Sequence, residues 1–315
     1  MNRPGFMWWK ICAIVIIFWG CSSSRQSGDT YQEKLPNTVL WEISSRDLDS
    51  PSYLLGTIHL IPEDQFFWPE HFQNAYNAVD QVVLEVSELG MDPATLMELM
   101  PKIMLPDGQS LEDLVTEKEY SQIEGFFTEM GLPAMFFKNI KPFFLYMLVD
   151  IDMSALMQDN IKSYELEITQ KANGDQKPIS GLETLDFQVS IFDSIPYEDQ
   201  ADMLVSAIAG KSKNKSESGE AEKGNELYQT YVNQDLNAIL QLVKETDPSL
   251  MKFYKLLLED RNVAWIPKIE EFIRQKASLV AVGAAHLPGE MGVIHLLKKA
   301  GYTLKPVMGT SDGAH

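Results

Sequence analysis

Residues 52–59 read SYLLGTIH and residues 278–286 read SLVAVGAAH. Each is an apolar run that stops on a glycine (Gly56, Gly283) and presents a histidine three residues later (His59, His286). Continuous apolar runs of this length are the pattern of strands buried on both faces, which occur where helices cover a parallel sheet. Two further runs fit the same reading, QVVLEVS at 81–87 and KPISGLE at 177–183. TVLWEIS at 38–44 pairs with SYLLGT across the turn residues of SRDLDSP, and YTLKPV at 302–307 supplies a last strand.

Helical periodicity fills the intervals. Phe72, Ala75, Tyr76 and Val79 recur at i, i+3, i+4 and i+7, and Val293, Leu296, Leu297 and Ala300 do the same after the second glycine-histidine run. From about 92 to 170 the pattern is helical, with Pro101, Pro106, Pro133 and Pro142 as boundaries. Several of the chain's fifteen methionines fall there, which suggests a plastic core. A helical region follows from 184 to 209, and one long helix is expected over 248–276, kinked at Pro267. The fold class is therefore mixed α/β (α+β): a central sheet with flanking helices and a large helical insertion. Strand, Gly-x-x-His, loop and helix occur at both ends, as in a repeated unit.

The N-terminus is a targeting segment rather than fold. Arg3 and Lys10 precede the apolar stretch ICAIVIIFW, which is short for a permanent span, and Gly20-Cys21 follows. That pattern resembles a bacterial lipoprotein cleavage site, with 1–20 removed, Cys21 lipidated and 21–36 a flexible tether. An ordinary signal peptide or an uncleaved anchor are the alternatives. The expected location is the bacterial cell envelope, lipid-anchored to the membrane outside the cytoplasm. With Cys12 removed, no cysteine chemistry remains. The globular domain is placed at 37–310, with a disordered loop at 211–225, where KSKNKSESGEAEKGN is almost wholly polar. The chain's 315 residues suffice for a substantial core. Its net charge of -19, about -21 without residues 1–20, repels phosphate backbones and speaks against nucleic-acid partners.

His59 and His286 each lie just past a strand's carboxyl end, where open α/β sheets place ligand crevices. Each glycine is expected to allow a sharp turn and a close backbone approach, and an imidazole there can ligate a metal or act as a base. A single loop histidine is unremarkable; two identical settings among five histidines are not. His71 and His295 are weaker, flanking or opposing their helical stripes. Glu85 sits inside a buried strand, where a carboxylate must be paired, ligate a metal or titrate. Arg261 falls on the apolar stripe of Leu250, Tyr254 and Leu257, so it needs a carboxylate or an anion, with Glu85 and Glu183 as structural partners. Asn262 rides beside it, and Glu183 ends its strand. HExxH, Walker and Gly-x-Ser-x-Gly patterns do not occur.

These blocks together resemble the TraB/GumN (TraB/PrgY/GumN, TIKI-like) family over about residues 38–308: YLLGTIHL, VVLEVSE, KPISGLETLDFQVSIFDSIPYEDQ, EDRNVAWIPKI and VAVGAAHLPGEMGVIHLLKKAGY. The chain departs from the family's compact "GxD" before the lysine-proline strand, and its 211–225 segment is unusually charged. The resemblance implies an erythromycin-esterase/ChaN-like fold and a metal-dependent hydrolase, since TIKI-branch members are described as divalent-metal-dependent proteases. It makes His59, Glu85 and His286 catalytic candidates and ligands for Mn, Co or Zn. Arg261 and Asn262 would stabilise negative charge or hold the carboxylate, with Gly56, Gly283 and Glu183 in support. The substrate would be a peptide or another small molecule. The alternatives are a metal-independent esterase-like hydrolase, or a lipoprotein that binds peptide without turnover.

Overall fold

The computed structural model describes residues 34–87, 93–149, 160–215, 220–246 and 250–309. The proposed leader, Cys21 and the tether to residue 33 lie outside them. Residues from Lys34 onward cluster as one compact unit.

Six strands form the main sheet: β1 (Leu40–Ser44), β2 (Ser52–Thr57), β4 (Gln81–Val86), β6 (Ile179–Glu183), β7 (Ser278–Gly283) and β8 (Thr303–Pro306). Their order is β6-β4-β7-β2-β1-β8. The first four run parallel, and β1 and β8 continue the sheet antiparallel. The most apolar runs are the interior parallel strands: Val82, Val83, Leu84, Leu279, Val280, Ala281 and Val282 are all sealed from solvent. Two faces must be covered for that, and helices α1 (Glu70–Asn77), α6 (Tyr164–Gly174), α11 (Asp260–Gln275) and α12 (Val293–Lys299) contribute Phe72, Tyr76, Ile168, Trp265, Ile269 and Leu297 to the same core. The amino edge of the parallel strands is stitched by short polar side chains: Ser52 Oγ accepts from Ser278 N–H (3.0 Å) and Gln81 Nε2 donates to Ser278 Oγ (2.9 Å). The carboxyl edge carries Glu85, Glu183 and both Gly-x-x-His turns, with Arg261 and Asn262 reaching it from α11.

A two-stranded ribbon, β3 (Ile61–Pro62) with β5 (Ile161–Lys162), ties the chain just after His59 to the chain just before α6. The helical insertion has a core of its own, built from Leu111, Ile123, Phe127, Phe137, Leu145 and Val149. These come mostly from α3 (Glu117–Glu129), α4 (Ala134–Phe137) and α5 (Pro142–Leu148). Leu204 and Ile208 of α8 (Tyr197–Lys215) complete it, so the insertion's core draws on residues well past 170. Conversely Tyr164 and Ile168, inside the expected insertion, belong to the sheet core.

Several local expectations change. Between α2 (Pro93–Ile103), which contains Pro101, and α5, which starts on Pro142, proline marks only some of the boundaries. Among the described residues the buried methionine is Met203, while Met97, Met100, Met135 and Met147 are exposed, because phenylalanine, leucine and isoleucine fill the insertion core. Helix α8 runs through Lys215 and α9 (Glu220–Val232) begins at Glu220, so much of the polar stretch at 211–225 is helical. Glu, Lys and Ala are strong helix formers, and polarity alone does not break a helix. The helix expected at 248–276 is three pieces: a 3₁₀ turn (Leu250–Phe253), a π turn (Lys255–Glu259) and α11, which continues across Pro267. Among the described residues no helix is long and apolar enough to cross a membrane.

Leu54 is fully buried in β2 at the centre of the sheet. Leu54→Ala is expected to lower unfolding free energy by about 2–5 kcal/mol, from lost transfer energy and the cavity left behind. Urea unfolding would show it as a lower midpoint at unchanged slope.

Candidate functional site

Four neighbouring parallel strands deliver side chains to one place. Glu85 and Glu183 lie at the carboxyl ends of β4 and β6, and His286 and His59 follow β7 and β2. In the register of β2 with β7, Thr57 sits opposite Gly283, so the two Gly-x-x-His turns are adjacent.

Neither glycine is there for a left-handed backbone. Gly283 has φ -51°, and Gly56 is absent from the positive-φ residues. Close approach is the reason. A Cβ on Gly56 would stand 3.0 Å from Leu287 and 3.1 Å from the Ala284 backbone. A Cβ on Gly283 would stand 3.3 Å from Glu85 Oε1, 3.5 Å from His286 Cδ2 and 3.9 Å from His59 Nε2. The missing side chain at Gly283 therefore leaves a cradle on which all three groups converge.

Arg261 is the hub behind it. Helix α11 turns Arg261, Trp265, Ile269 and Ile273 inward at four-residue spacing, so the guanidinium follows the apolar stripe into the protein. Its Nη2 donates to Glu85 Oε2 (2.7 Å) and Glu183 Oε2 (2.8 Å), and its Nε donates to Glu183. Nη1 donates to the Leu257 carbonyl (3.2 Å) and faces His286 Nε2 (3.3 Å). Trp265 adds an indole N–H to Glu183 Oε1 (2.8 Å). Every guanidinium N–H is engaged, which suits holding carboxylates and leaves no donor free for a developing oxyanion.

Burial opposes charge on Glu85. His286, Arg261 and His59 pull the other way, with the Gly283 N–H donating to Oε1 (2.7 Å), and hold the carboxyl at about 2. Since His286 is itself neutral near pH 7, Arg261, His59 and the Gly283 N–H are the groups that favour the carboxylate there. His286 is pushed down to about 3, by burial first and Arg261 next, against the pull of Glu85. Asn262 fixes its tautomer. The Asn262 amide donates to the carbonyls of His286 (3.2 Å) and Met291 (2.8 Å), so its Oδ1 accepts the His286 Nδ1–H (2.6 Å). The Nε2 lone pair is then turned toward Arg261 and, at 3.9 Å, Glu85.

His59 is the opposite case, with 70% of its side chain exposed. Its Nδ1 lies 3.0 Å from Glu165 Oε1, and because a carboxylate only accepts, Nδ1 is the donor. The protein around the ring opposes its charge, but the Glu165 carboxylate outweighs that and raises His59 to about 9. Water at the exposed edge screens the pair, so the direction counts more than its size. Glu165 was missed by sequence reasoning. It lies in the stretch that departs from the family pattern, yet Glu165, Ile168 and Ala172 follow i, i+3, i+7, so an acid on that apolar face was the available signal. Gln188, whose amide reaches Glu85 Oε2 (3.5 Å), was missed as well. His295 is exposed, and His71 packs on Phe72 away from the cradle.

The donors suit a divalent cation in kind, two imidazoles with Nδ1 held by an oxygen beside a carboxylate, but only His59 turns its Nε2 to the cradle, while His286 Nε2 is turned to Arg261. As placed, no three such side chains among the described residues stand close enough to share an ion. The fit is in the identity of the donors, and His286 Nε2 would have to leave Arg261 to ligate an ion.

Removing Arg261 strands two buried carboxylates. Arg261→Met is expected to cost about 3–5 kcal/mol at pH 7. In wild type, Glu85's contribution is present above its unfolded value of about 4.3 and lost as pH falls toward 2. In the variant the sign reverses for Glu85: burial then favours its protonated form in the folded state, so the deficit shrinks as pH drops from 7 to 4. Denaturant melts across that range check it.

The model of the TraB/PrgY/gumN family matches residues 39–306. An uncharacterised protein, YbaP, of Escherichia coli (strain K12) is 22% identical over 249 residues, covering 78% of this chain and 87% of that protein. Metalloprotease TIKI1 of Danio rerio is 22% identical over 333 residues, covering 91% of this chain and 65% of that protein, and TIKI1 of Xenopus tropicalis is 23% identical, covering 89% and 64%. No solved structure matches. With its two Gly-x-x-His turns side by side at the sheet edge, the chain belongs to the TraB/PrgY/gumN family.

Proposed function

We propose that the chain is a hydrolase of peptide bonds, working at the cradle beside Gly283. The convergence of Glu85, His286 and His59 on the point where a Gly283 Cβ would stand carries this reading. The metalloprotease relatives support the reaction class. His59, His286 and Glu85 would hold a divalent cation (Mn, Co or Zn), which when bound polarises a carbonyl and lowers the pKa of a bound water.

The chain's own groups set the rest. His286 is neutral and presents Nε2, Asn262 fixes that tautomer, and Arg261 holds Glu85 ionised. His59 carries its ring at the solvent-facing rim, where substrate arrives.

A second reading rests on one observation: Arg261 Nη1 already holds His286 Nε2, which leaves His59 as the imidazole whose Nε2 faces the cradle. On that reading no cation takes part. His59 Nε2 takes the proton of the attacking water as its oxygen bonds the carbonyl carbon, and returns that proton to the departing amine as the carbon–nitrogen bond breaks.

The Gly20-Cys21 pattern and the polar stretch after it support anchorage by lipid at Cys21 on the bacterial cell envelope, with a peptide as substrate. The surplus of acidic residues supports the absence of nucleic-acid partners.

Purified protein incubated with an unstructured peptide mixture is expected to yield new termini by mass spectrometry, with kcat falling at least about 100-fold in His286→Ala and in His59→Ala. Activity lost to a chelator and restored by Mn, Co or Zn supports the first reading, and activity indifferent to chelator supports the second. Turnover that survives both histidine substitutions overturns hydrolysis at this site. Gly283→Ala, whose φ suits alanine, is expected to keep its fold while its methyl fills the cradle and abolishes turnover. Circular dichroism melts alongside kinetics check that separation.

A further inference from the structure

The two histidines are held in different ways. His286 is enclosed, with Trp265 packed at 4.5 Å between ring centroids and Asn262 on its Nδ1. His59 is mostly exposed, so packing does not choose its rotamer, and among the described residues its hydrogen bond is the one to Glu165.

Glu165 is itself built into place. It is 5% exposed at the start of α6. Thr57, inside the first Gly-x-x-His turn, donates its hydroxyl to Oε1 (2.7 Å), the oxygen that holds His59. Ser163 donates its hydroxyl to Oε2 (3.1 Å). The β3–β5 ribbon fixes the register of both partners, since His59 lies two residues before Ile61 and Glu165 three after Lys162. Glu63 N–H donates to the Asn160 carbonyl (2.8 Å) and prolongs that tie. From behind, Tyr231 donates its hydroxyl to the Gly56 carbonyl (3.0 Å). A carboxylate is costly to bury, and an apolar residue of its size would serve packing as well. What it supplies here is a fixed acceptor for one ring nitrogen.

We infer that Glu165 is the positioning residue of the first Gly-x-x-His turn. By accepting the His59 Nδ1–H while Thr57 and Ser163 lock its oxygens, it aims His59 Nε2 at the cradle beside Gly283. Asn262 likewise accepts the His286 Nδ1–H and turns that ring's Nε2 to Arg261, so each histidine has its own orienting oxygen, one charged and one neutral. The second device is a carboxylate because the exposed ring needs a stronger hold than the enclosed one. The inference rests on the hydrolase reading for its kinetic arm alone.

The test uses the full chain and three variants, Glu165→Leu, Glu165→Gln and Thr57→Val, with His59→Ala to assign signals. Long-range proton–nitrogen spectra of the metal-free protein are expected to show His59 with a held proton on Nδ1. In Glu165→Leu that proton exchanges freely and the two ring nitrogens average, while the His286 signals stay put. Zn²⁺ binding by calorimetry weakens about 10–100-fold and kcat drops by a similar factor at unchanged KM. Glu165→Gln, which keeps an acceptor oxygen, restores part of both. If Glu165→Leu does not fold, Thr57→Val is read the same way, with a change of about 2–10-fold. A His59 signature and kcat that are wild-type in the folded variants overturn the positioning role even if hydrolysis is confirmed. A wild type that neither binds Zn²⁺ nor cleaves peptide sinks the hydrolase reading, and the spectra still decide the role of Glu165.

Discussion

A guanidinium between two buried carboxylates organises the carboxyl edge of this sheet. Arg261 reaches Glu85 on β4 and Glu183 on β6, and it turns a third face to His286 beyond β7. Taking those charges out of water is expensive, and only mutual pairing offsets it. The pairing in turn locks α11 over three strands and keeps Glu85 ionised beside Gly283. The π turn at Lys255–Glu259 comes immediately before it, and its Leu257 carbonyl takes the remaining side of the guanidinium. Such turns recur at functional sites because they re-aim one helical face. Without Arg261, Glu85 would lose the permanent positive charge that favours its ionised form against burial.

The two Gly-x-x-His turns repeat a sequence pattern but not an environment. One histidine is sealed, neutral and backed by an arginine; the other is open, charged and backed by a glutamate. Their shared feature is the glycine, and its function is space. At Gly56 a side chain would strike Ala284 and Leu287, just past the end of β7, and at Gly283 it would occupy the site. Repetition in the sequence therefore marks a shared geometric need, whereas opposite electrostatics separate the roles of the two rings.

The parallel strands were legible because burial on both faces leaves an unmistakable run of apolar residues, and β2, β4 and β7 fall where those runs are. Glu85 and Arg261 were legible as violations, a charge on an apolar strand and a charge on an apolar stripe. Glu165 shows the limit. Its helix begins in SYELEITQ, where polar residues alternate closely enough to hide which face is inward, and its partner lies about a hundred residues away. The boundary of the insertion was hidden for a similar reason. Leu204 and Ile208 complete a core begun at Leu111, and no local period records that long-range contact. The polar stretch at 211–225 misled through composition, since glutamate, lysine and alanine suit a solvated helix as well as a loop.

The engagement of Arg261 constrains any chemistry at the cradle. Peptide hydrolysis passes through a tetrahedral centre whose oxygen carries negative charge, and that charge needs a donor or a cation. The guanidinium is the strongest donor nearby, yet all its N–H groups serve Glu183, Glu85, Leu257 and His286. The Gly283 N–H is likewise committed to Glu85. Three carboxylates in the same region, Glu85, Glu165 and Glu183, make an uncompensated oxyanion still less favourable. What is left is the Nε2 side of His59, as a proton donor or as a ligand to a bound cation. Both readings of the hydrolase thus place the positive charge the reaction requires at the exposed histidine, and its orientation becomes the requirement on which turnover turns.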